Sequence, residues 1–313
     1  MVAPVLAQVS MLVDTATHWA GKFQARLVRH EPLAAHTTFR IGGPADFFIV
    51  VQTVEELCEL VQRARHAHIP FFILGNGSNL LVRDGGWRGL VIQNRCGHLS
   101  LEESAARAYL RVESGVMLPG MANRLARLGW TGLEWAIGVP GTLGGAIVGN
   151  AGAHGACIAE TVKWVTILDA RGEVRKLPKT ELAFGYRTSR FKRTKDEIVL
   201  SAELELQRDD PQNCIARMQQ YSAQRRRTQP TEPSVGSMFK NPPGDAAGRL
   251  IDAAGLKGTR VGGVQVSPVH ANFFVNRGGA TASDVLQLID IVKARVRDRF
   301  GVELELEIEV IGD

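Results

Sequence analysis

Ser237 and Lys240 stand three residues apart in SVGSMFKNP, residues 234–242. On a helix this S-x-x-K step would bring a lysine beside a serine, as in a Ser-Lys nucleophile. Pro242 and Pro243 follow at once. Proline inside a helix removes a hydrogen bond and clashes with the preceding turn. Ser237 is therefore expected on an extended stretch or a turn. The stretch is not the G-x-S-x-G of a nucleophile elbow. It offers neither the base nor the oxyanion hole that an activated nucleophile needs. The chemistry of Ser237 stays open at this level.

Other groups have two readings each. FGYRTSRFK, residues 184–192, sets Arg187 and Arg190 beside aromatic residues. Such a segment is either an exposed loop with cation–π packing or an arginine clamp for a carboxylate or phosphate. The C-terminal VELELEIEVI alternates strictly. It is expected to turn Val302, Leu304, Leu306, Ile308 and Val310 one way and Glu303, Glu305, Glu307 and Glu309 the other. A row of glutamates on one strand face is ordinarily solvated. Arg225, Arg226 and Arg227 close a helix, where the dipole favours positive charge. His154 and His270 read as core or turn histidines. No His, Cys, Asp or Glu spacing matches a metal site.

Glycine is in excess: 33 residues of 313, against an ordinary share of about 7%. The glycines cluster, and bare backbone is where a ligand can approach closely. GNGSN (75–79) lies between two strand candidates, FFIL and LLV. A Rossmann loop must open a helix, and a P-loop needs G-K-[ST]; this loop does neither. It is either a tight turn or an anion-binding nest of backbone N–H groups. The run GLEWAIGVPGTLGGAIVGNAGAHG (132–155) is too long and too rich in glycine for a plain connection. It points to a large, flat or phosphate-bearing ligand.

The elements around these loops follow from periodicity and caps. Thr53 and Glu56 form a capping box before a helix with Leu57, Leu60, Val61 and Ala64 on one face. A second helix runs from Pro119 to Gly129 with Met121, Leu125 and Leu128 inward. Strands are expected at 162–168, at VRKL and at 198–206. Asp210 caps a helix that starts with Pro211, and the change of character there marks a unit boundary. In the last part, Asp245 is expected to cap a helix closed by Gly255. Strands fall near 263–266 and 272–275. Thr281 and Asp284 box a long helix with Val285, Leu288, Val292 and Val296 inward.

Composition bounds the class. The chain is long enough for two or three domains. No apolar run reaches membrane-spanning length. The first residues lack the basic start of a secretory signal and read as a helix or a tail. The four cysteines are dispersed, which suits free thiols in a reducing cytoplasm. The net charge of +5 points weakly to an anionic partner. Without a basic stripe interleaved with aromatics, nucleic acid is disfavoured.

Taken in order, TTFRIGGPAD, GNGSNLLV, IGVPGTLGGAIVGNAGAHG, GYRTSRFK, PSVGSMFKNPPG, AAGRLIDAAGLKG and HANFFVN resemble one family. It is the UDP-N-acetylenolpyruvoylglucosamine reductases, also called UDP-N-acetylmuramate dehydrogenases. The resemblance runs from about residue 30 to the C-terminus and fits the shorter-chain subgroup. It implies an α+β protein: an FAD-binding two-subdomain fold of the vanillyl-alcohol-oxidase type plus a C-terminal α+β substrate domain. The implied units are 1–92, with 303–313 returning to it, then 93–208, then 209–302. It further implies FAD, with NADPH as hydride donor and a UDP-sugar substrate, in peptidoglycan precursor synthesis in the cytoplasm. A monomer is expected, with neither nucleic acid nor membrane as partner.

By the same resemblance, Gly75, Asn76, Gly77, Ser78 and Asn79 cradle the flavin pyrophosphate. Val139, Pro140, Gly141, Thr142, Gly144, Gly145, Asn150 and Gly152 wrap the rest of FAD. Ser237 becomes the proton donor, an acid and not a nucleophile. Arg187 holds the substrate carboxylate, and Glu307 assists. A charged Glu307 beside an enolate opposes the reaction, so a raised pKa or a cationic neighbour is expected. Arg225, Lys240, Asn241 and His154 are the implied substrate contacts. The chain departs from the family pattern at His154, often tyrosine, and at Glu309, often arginine. The second departure leaves the register between Glu307 and Glu305 open. The rival classes are another flavin oxidoreductase, such as an oxidase on this fold, and a nucleotide-binding protein without catalysis.

Overall fold

The computed structural model describes residues 21–313; the helix or tail expected over the first residues lies outside them. In the first unit β1 (Val28–Pro32) runs antiparallel to β2 (Pro44–Val51). Then come α1 (Val54–His66), β3 (Phe71–Leu74), β4 (Leu80–Val82) and β5 (Trp87–Asn94). The sheet order is β1-β2-β5-β3, with β2 and β3 both parallel to β5. α1 starts where it does because the Thr53 side chain accepts the Glu56 N–H. The box is only half closed: the Glu56 carboxylate turns to the Gln52 N–H and to Arg26 instead. The expected face of Leu57, Leu60, Val61 and Ala64 is fully buried and packs on Phe47, Ile49, Leu90 and Ile92.

The second unit contains β6 (Leu99–Glu103), β7 (Arg107–Glu113), α2 (Leu118–Arg127), β8 (Trp130–Thr131) and α3 (Leu143–Gly149). It continues with β9 (Gly152–Ala153), β10 (Ala156–Cys157), β11 (Val162–Leu168), β12 (Val174–Pro178) and β13 (Ile198–Arg208). The antiparallel order is β12-β11-β13-β7-β6, with β8 on the end of β13. Strict alternation on β13 sends Ala202, Leu204 and Leu206 inward. Glu203 and Glu205 meet Arg111 and Arg107 on the outer face. Met121 and Leu125 of α2 are buried as expected, but Leu128 is 43% exposed. The helix ends at Arg127, and Leu128 is its cap residue, off the inward stripe.

α4 (Pro211–Thr228) is capped by Asp210 through the Gln212 N–H. Its Cys214 and Met218 pack with Ala126 and Ile137. In packing, then, α4 sits on the second unit although the composition changes before it.

The third unit holds α5 (Ala247–Ala253), β14 (Arg260–Val261), β15 (Val264–Val266), β16 (Phe274–Asn276) and α6 (Ala282–Phe300). The cap residue of α5 is Ala246, not Asp245. Asp245 pairs with Arg249, and Asn241 Oδ1 accepts the first helical N–H, from Ala247. α6 follows its sequence closely: the Thr281/Asp284 box is closed both ways, and Val285, Leu288, Val292 and Val296 are fully buried. Asp84 of the first unit also accepts from the Ala282 and Ser283 N–H groups, fastening the start of α6 to that unit.

The C-terminal glutamate row does not form one strand. Leu306 makes a single antiparallel bridge to Phe239. β17 (Glu309–Ile311) instead pairs parallel with β4. The backbone bends at Glu307 and Ile308 between these two partners. Glu303, Glu305 and Glu309 stay exposed, while Glu307 turns inward.

Candidate active site

Ser237 to Lys240 form a short extended segment between two others. The Met238 N–H donates to Asn272 O, and the Glu307 N–H donates to Met238 O at 2.9 Å. The Lys240 N–H donates to Glu305 O. The buried Asn272 side chain completes the ladder: Oδ1 accepts the Phe239 N–H at 2.9 Å, and Nδ2 donates to Phe239 O at 2.7 Å. Ser237 bridges Phe273 and is thus extended, one of the two settings expected for it. Residues three apart on a strand point to opposite faces, and the Lys240 ammonium is held by Glu305 at 3.1 Å. The S-x-x-K pair does not act as a pair. The Ser237 hydroxyl has no hydrogen-bond partner among the described residues.

The same ladder delivers Glu307 to Arg187. Arg187 lies in a tight turn, with Gly185 and Thr188 bridged across it. Its φ is +54°, a left-handed backbone that costs a non-glycine residue about 1–3 kcal/mol and is typical of functional sites. The turn is held from outside by Asn150 Nδ2 donating to Gly185 O and by Ser189 Oγ donating to Val148 O. Arg187 Nε donates to Glu307 Oε1 at 2.6 Å, and Nη2 donates to Gly152 O at 3.1 Å. The Glu307 side chain is 16% exposed. Burial raises its pKa; Arg187, then Lys192 and Lys240, pull it down, and burial wins.

The two glycine-rich segments meet beside this pair. Asn76 Nδ2 donates to Pro140 O at 2.6 Å. A Cβ on Gly75 would sit 2.6 Å from Thr142 Oγ1, and one on Gly141 would be 3.5 Å from Ser78 Oγ. Gly77 has φ +61°, and a Cβ there would meet His36 O at 2.3 Å, so glycine is required. Thr142 caps α3 through the Gly145 N–H, and Gly144 backs onto Ser114. Asn79 Nδ2 donates to Glu307 O, which ties the 75–79 loop to the ion pair. The N–H groups of Asn76, Gly77, Ser78 and Asn79 have no acceptor among the described residues. The buried indole N–H of Trp135, in the other segment, also has none. Converging bare backbone with free donors fits a pyrophosphate-bearing flavin.

Arg225 lies against Gly138, where a Cβ would come 2.2 Å from its Cδ. Burial lowers its pKa, and no carboxylate pairs with it among the described residues. His154 stacks on Tyr221 with ring centroids 4.2 Å apart, and its Nε2 is buried without a partner. Its pKa is lowered by burial and then by Arg225. Asn241 takes the Tyr186 hydroxyl as acceptor for its N–H. A cavity of about 520 Å³ is lined by Tyr186, Lys240, Asn241, Pro242, Pro243, Glu303 and Glu305. A second, about 550 Å³, lies by Thr53, Arg95 and His98 and touches none of the candidate groups.

Ser237, Arg187, Glu307, Lys240, Asn241 and the 75–79 loop are therefore brought to one place by chain segments far apart in sequence. Arg225 and His154 sit together on the α4 side. Sequence reasoning missed Asn272, Tyr186 and Lys192. All three lie inside motifs already marked, HANFFVN and GYRTSRFK, but nothing in the spacing separates them from their neighbours.

Curated relatives decide the family. A UDP-N-acetylenolpyruvoylglucosamine reductase of Chloroflexus aggregans is 46% identical over 286 residues, covering 90% of this chain and 96% of its own. The chain belongs to the UDP-N-acetylenolpyruvoylglucosamine reductase family. A second relative, from Heliobacterium modesticaldum, is 46% identical over 93% of this chain and 92% of its own. The crystal structure of the Thermus caldophilus reductase superposes with a TM-score of 0.78 at 38% identity, covering 91% of this chain and 98% of that one. Residues 45–178 match the FAD binding domain, and residues 229–311 match the C-terminal domain of the reductase family. The protein is an α+β, FAD-dependent oxidoreductase of peptidoglycan precursor synthesis, as the resemblance implied. Among the described residues, no helix is long and apolar enough to cross a membrane, and no group of His, Cys, Asp and Glu could hold a metal.

Proposed function

We propose that the protein reduces the enolpyruvyl group of UDP-N-acetylenolpyruvoylglucosamine to UDP-N-acetylmuramate at the expense of NADPH. The observation that carries this reading is the Arg187–Glu307 contact, set beside the flavin loop and the Ser237 segment. Gly75–Asn79 would hold the pyrophosphate of FAD, and the residues from Val139 to Gly152 would enclose the remainder. FAD, when bound, supplies the two-electron chemistry that links NADPH to the substrate.

The remaining work falls to this chain's own side chains. The C=C bond gains a hydride at its terminal carbon and a proton at the neighbouring carbon. Negative charge passes through an enolate of the substrate carboxylate, and Arg187 offsets it in a site of low dielectric. Ser237 Oγ–H delivers the proton. An alcohol is a weak acid, so its conjugate base must be transient and quickly reprotonated. Glu307, whose pKa burial raises, keeps Arg187 aimed through the bond to its Nε. Arg225, Lys240, Asn241 and His154 bind the UDP-sugar.

The test is the visible spectrum of the anaerobic holoenzyme. NADPH should bleach the flavin band, and the enolpyruvyl substrate should restore it without oxygen. Recovery with oxygen alone would point to an oxidase. Ser237→Ala should keep the first half-reaction and slow the second by about 10²–10⁴-fold. Full product formation by that variant would remove Ser237 from its role.

A further inference from the structure

Three basic residues stand on the GYRTSRFK segment, and their engagements differ. Arg190 is taken by Glu197, with Nε to Oε2 at 2.9 Å and Nη2 to Oε1 at 2.6 Å. Arg187 is taken at Nε by Glu307 and at Nη2 by Gly152 O. Lys192 makes no ion pair or hydrogen bond through its ammonium among the described residues. It is half-buried, where an unpaired charge is costly.

Its backbone is not free to carry it away. Phe191 beside it is buried, Ser189 is fully buried, and the Lys192 N–H donates to Ser189 O. Lys240, Glu307, Glu309 and Arg187 are the charged groups near enough to act on its ammonium, and Arg187 stands five residues before it on the same segment, so it lies within range of the candidate site.

The engagement of Arg187 sharpens the point. A carboxylate is best received by a two-pronged guanidinium edge. With Nε committed to Glu307, the Nε/Nη2 edge is occupied. Nη1 has no acceptor among the described residues and leaves a single-sided contact. A substrate carboxylate bound there needs a second donor, and the unpaired Lys192 ammonium, carried on a fixed stretch of backbone, supplies it.

We propose that Lys192 is a substrate-binding residue that receives the carboxylate of the enolpyruvyl group together with Arg187 Nη1; this rests on the reductase reading above. Burial first, then Lys240, lowers the Lys192 pKa, with Glu307 and Glu309 opposing and Arg187 adding to the lowering. Carboxylate affinity therefore weakens as pH rises through that lowered pKa. An arginine at the position would stay charged and hold the affinity to higher pH.

The experiment uses FAD-loaded enzyme reduced anaerobically with NADPH and mixed with increasing enolpyruvyl substrate. Lys192→Met should weaken apparent substrate binding by about tenfold or more, with flavin reduction by NADPH unchanged. Lys192→Arg should restore binding and flatten its alkaline fall. UDP-N-acetylglucosamine, which lacks the carboxylate, should bind wild type and Lys192→Met equally. Unchanged substrate binding in Lys192→Met overturns the proposal. So does equal weakening of UDP-N-acetylglucosamine, which would move the contact to the diphosphate. If Lys192→Met does not fold, an unshifted alkaline limb in Lys192→Arg still overturns it. Failure of wild-type flavin to reoxidise with the substrate would instead refute the reductase reading, and the proposal with it.

Discussion

Two arginine–carboxylate pairs in this protein look alike on paper and are opposites in chemistry. In the second unit, Arg217 donates to Glu134 Oε1 from both Nε and Nη2. Glu134 also accepts from the Thr131 hydroxyl and the Gly132 N–H, and Arg217 has Asp209 as a second partner. Burial pushes the Glu134 pKa up, but these donors outweigh it and the carboxyl ends below its usual range. At the candidate site, Glu307 has one side-chain donor among the described residues, Arg187 Nε. There burial wins, and the carboxyl ends above its usual range. The salt bridge by itself does not set the outcome. The balance between burial and the hydrogen bonds to the charged form does. A saturated pair is a lock, whereas an undersupplied pair stays responsive to a ligand.

The contrast is broken most strongly at the arginines. Arg187→Met should slow substrate-dependent flavin reoxidation by about 10²–10³-fold. Its unfolding free energy should hardly change, because Glu307 can take up a proton. Arg217→Met should do the reverse. It leaves a buried carboxylate stranded and should cost about 3 kcal/mol in denaturant unfolding, the low end for a broken buried pair because Arg217 is itself partly exposed. Half-reaction kinetics and denaturant melts on the same two variants test both statements. Equal stability losses would erase the distinction.

The next effect is in pH, with opposite signs. The depressed Glu134 pKa contributes stability above the unfolded carboxyl pKa, lost as pH falls through the folded value. The raised Glu307 pKa means that the folded state holds its proton more tightly. That contribution is full at low pH and is lost as pH rises through the folded value. Glu134→Gln should therefore flatten the acid limb of a stability–pH curve, and Glu307→Gln the limb just above the ordinary carboxyl range. The smallest effect belongs to a third pair. Glu305 is 75% exposed, with Lys240 at 30%, and such pairs are worth about 0–1 kcal/mol. Glu305→Gln should leave the melting curve nearly unmoved. A loss comparable to that of Arg217→Met would mean that exposure is a poor guide here.

How much of this was legible beforehand depended on the range of the interaction. α6 was readable because its cap, stripe and stop are all local. Leu128 was misplaced because periodicity carries on past the point where the helix stops. The glutamate row was misread for a different reason. Alternation says strand, but Leu306 pairs with Phe239 while Glu309–Ile311 pair with β4. Two partners at different places force the bend that turns Glu307 inward, and neither partner is encoded in the spacing. The motifs GNGSN and GYRTSRFK stood out from composition and turn chemistry. The meeting of Arg187 with Glu307, 120 residues away, followed from the resemblance alone.

The bond from Asn79 to Glu307 spans 228 residues, and among the described residues β4 pairs with β17 alone. While the ribosome is still making the chain, the 75–79 loop is flanked by one strand that has no neighbour to pair with. Contacts of such sequence separation form late. We expect cofactor capture to be among the last events of biogenesis: nascent chains arrested before residue 300 should not retain FAD, and their release to full length should permit it. Retention by the arrested chains would show that the loop is complete without its distant strand.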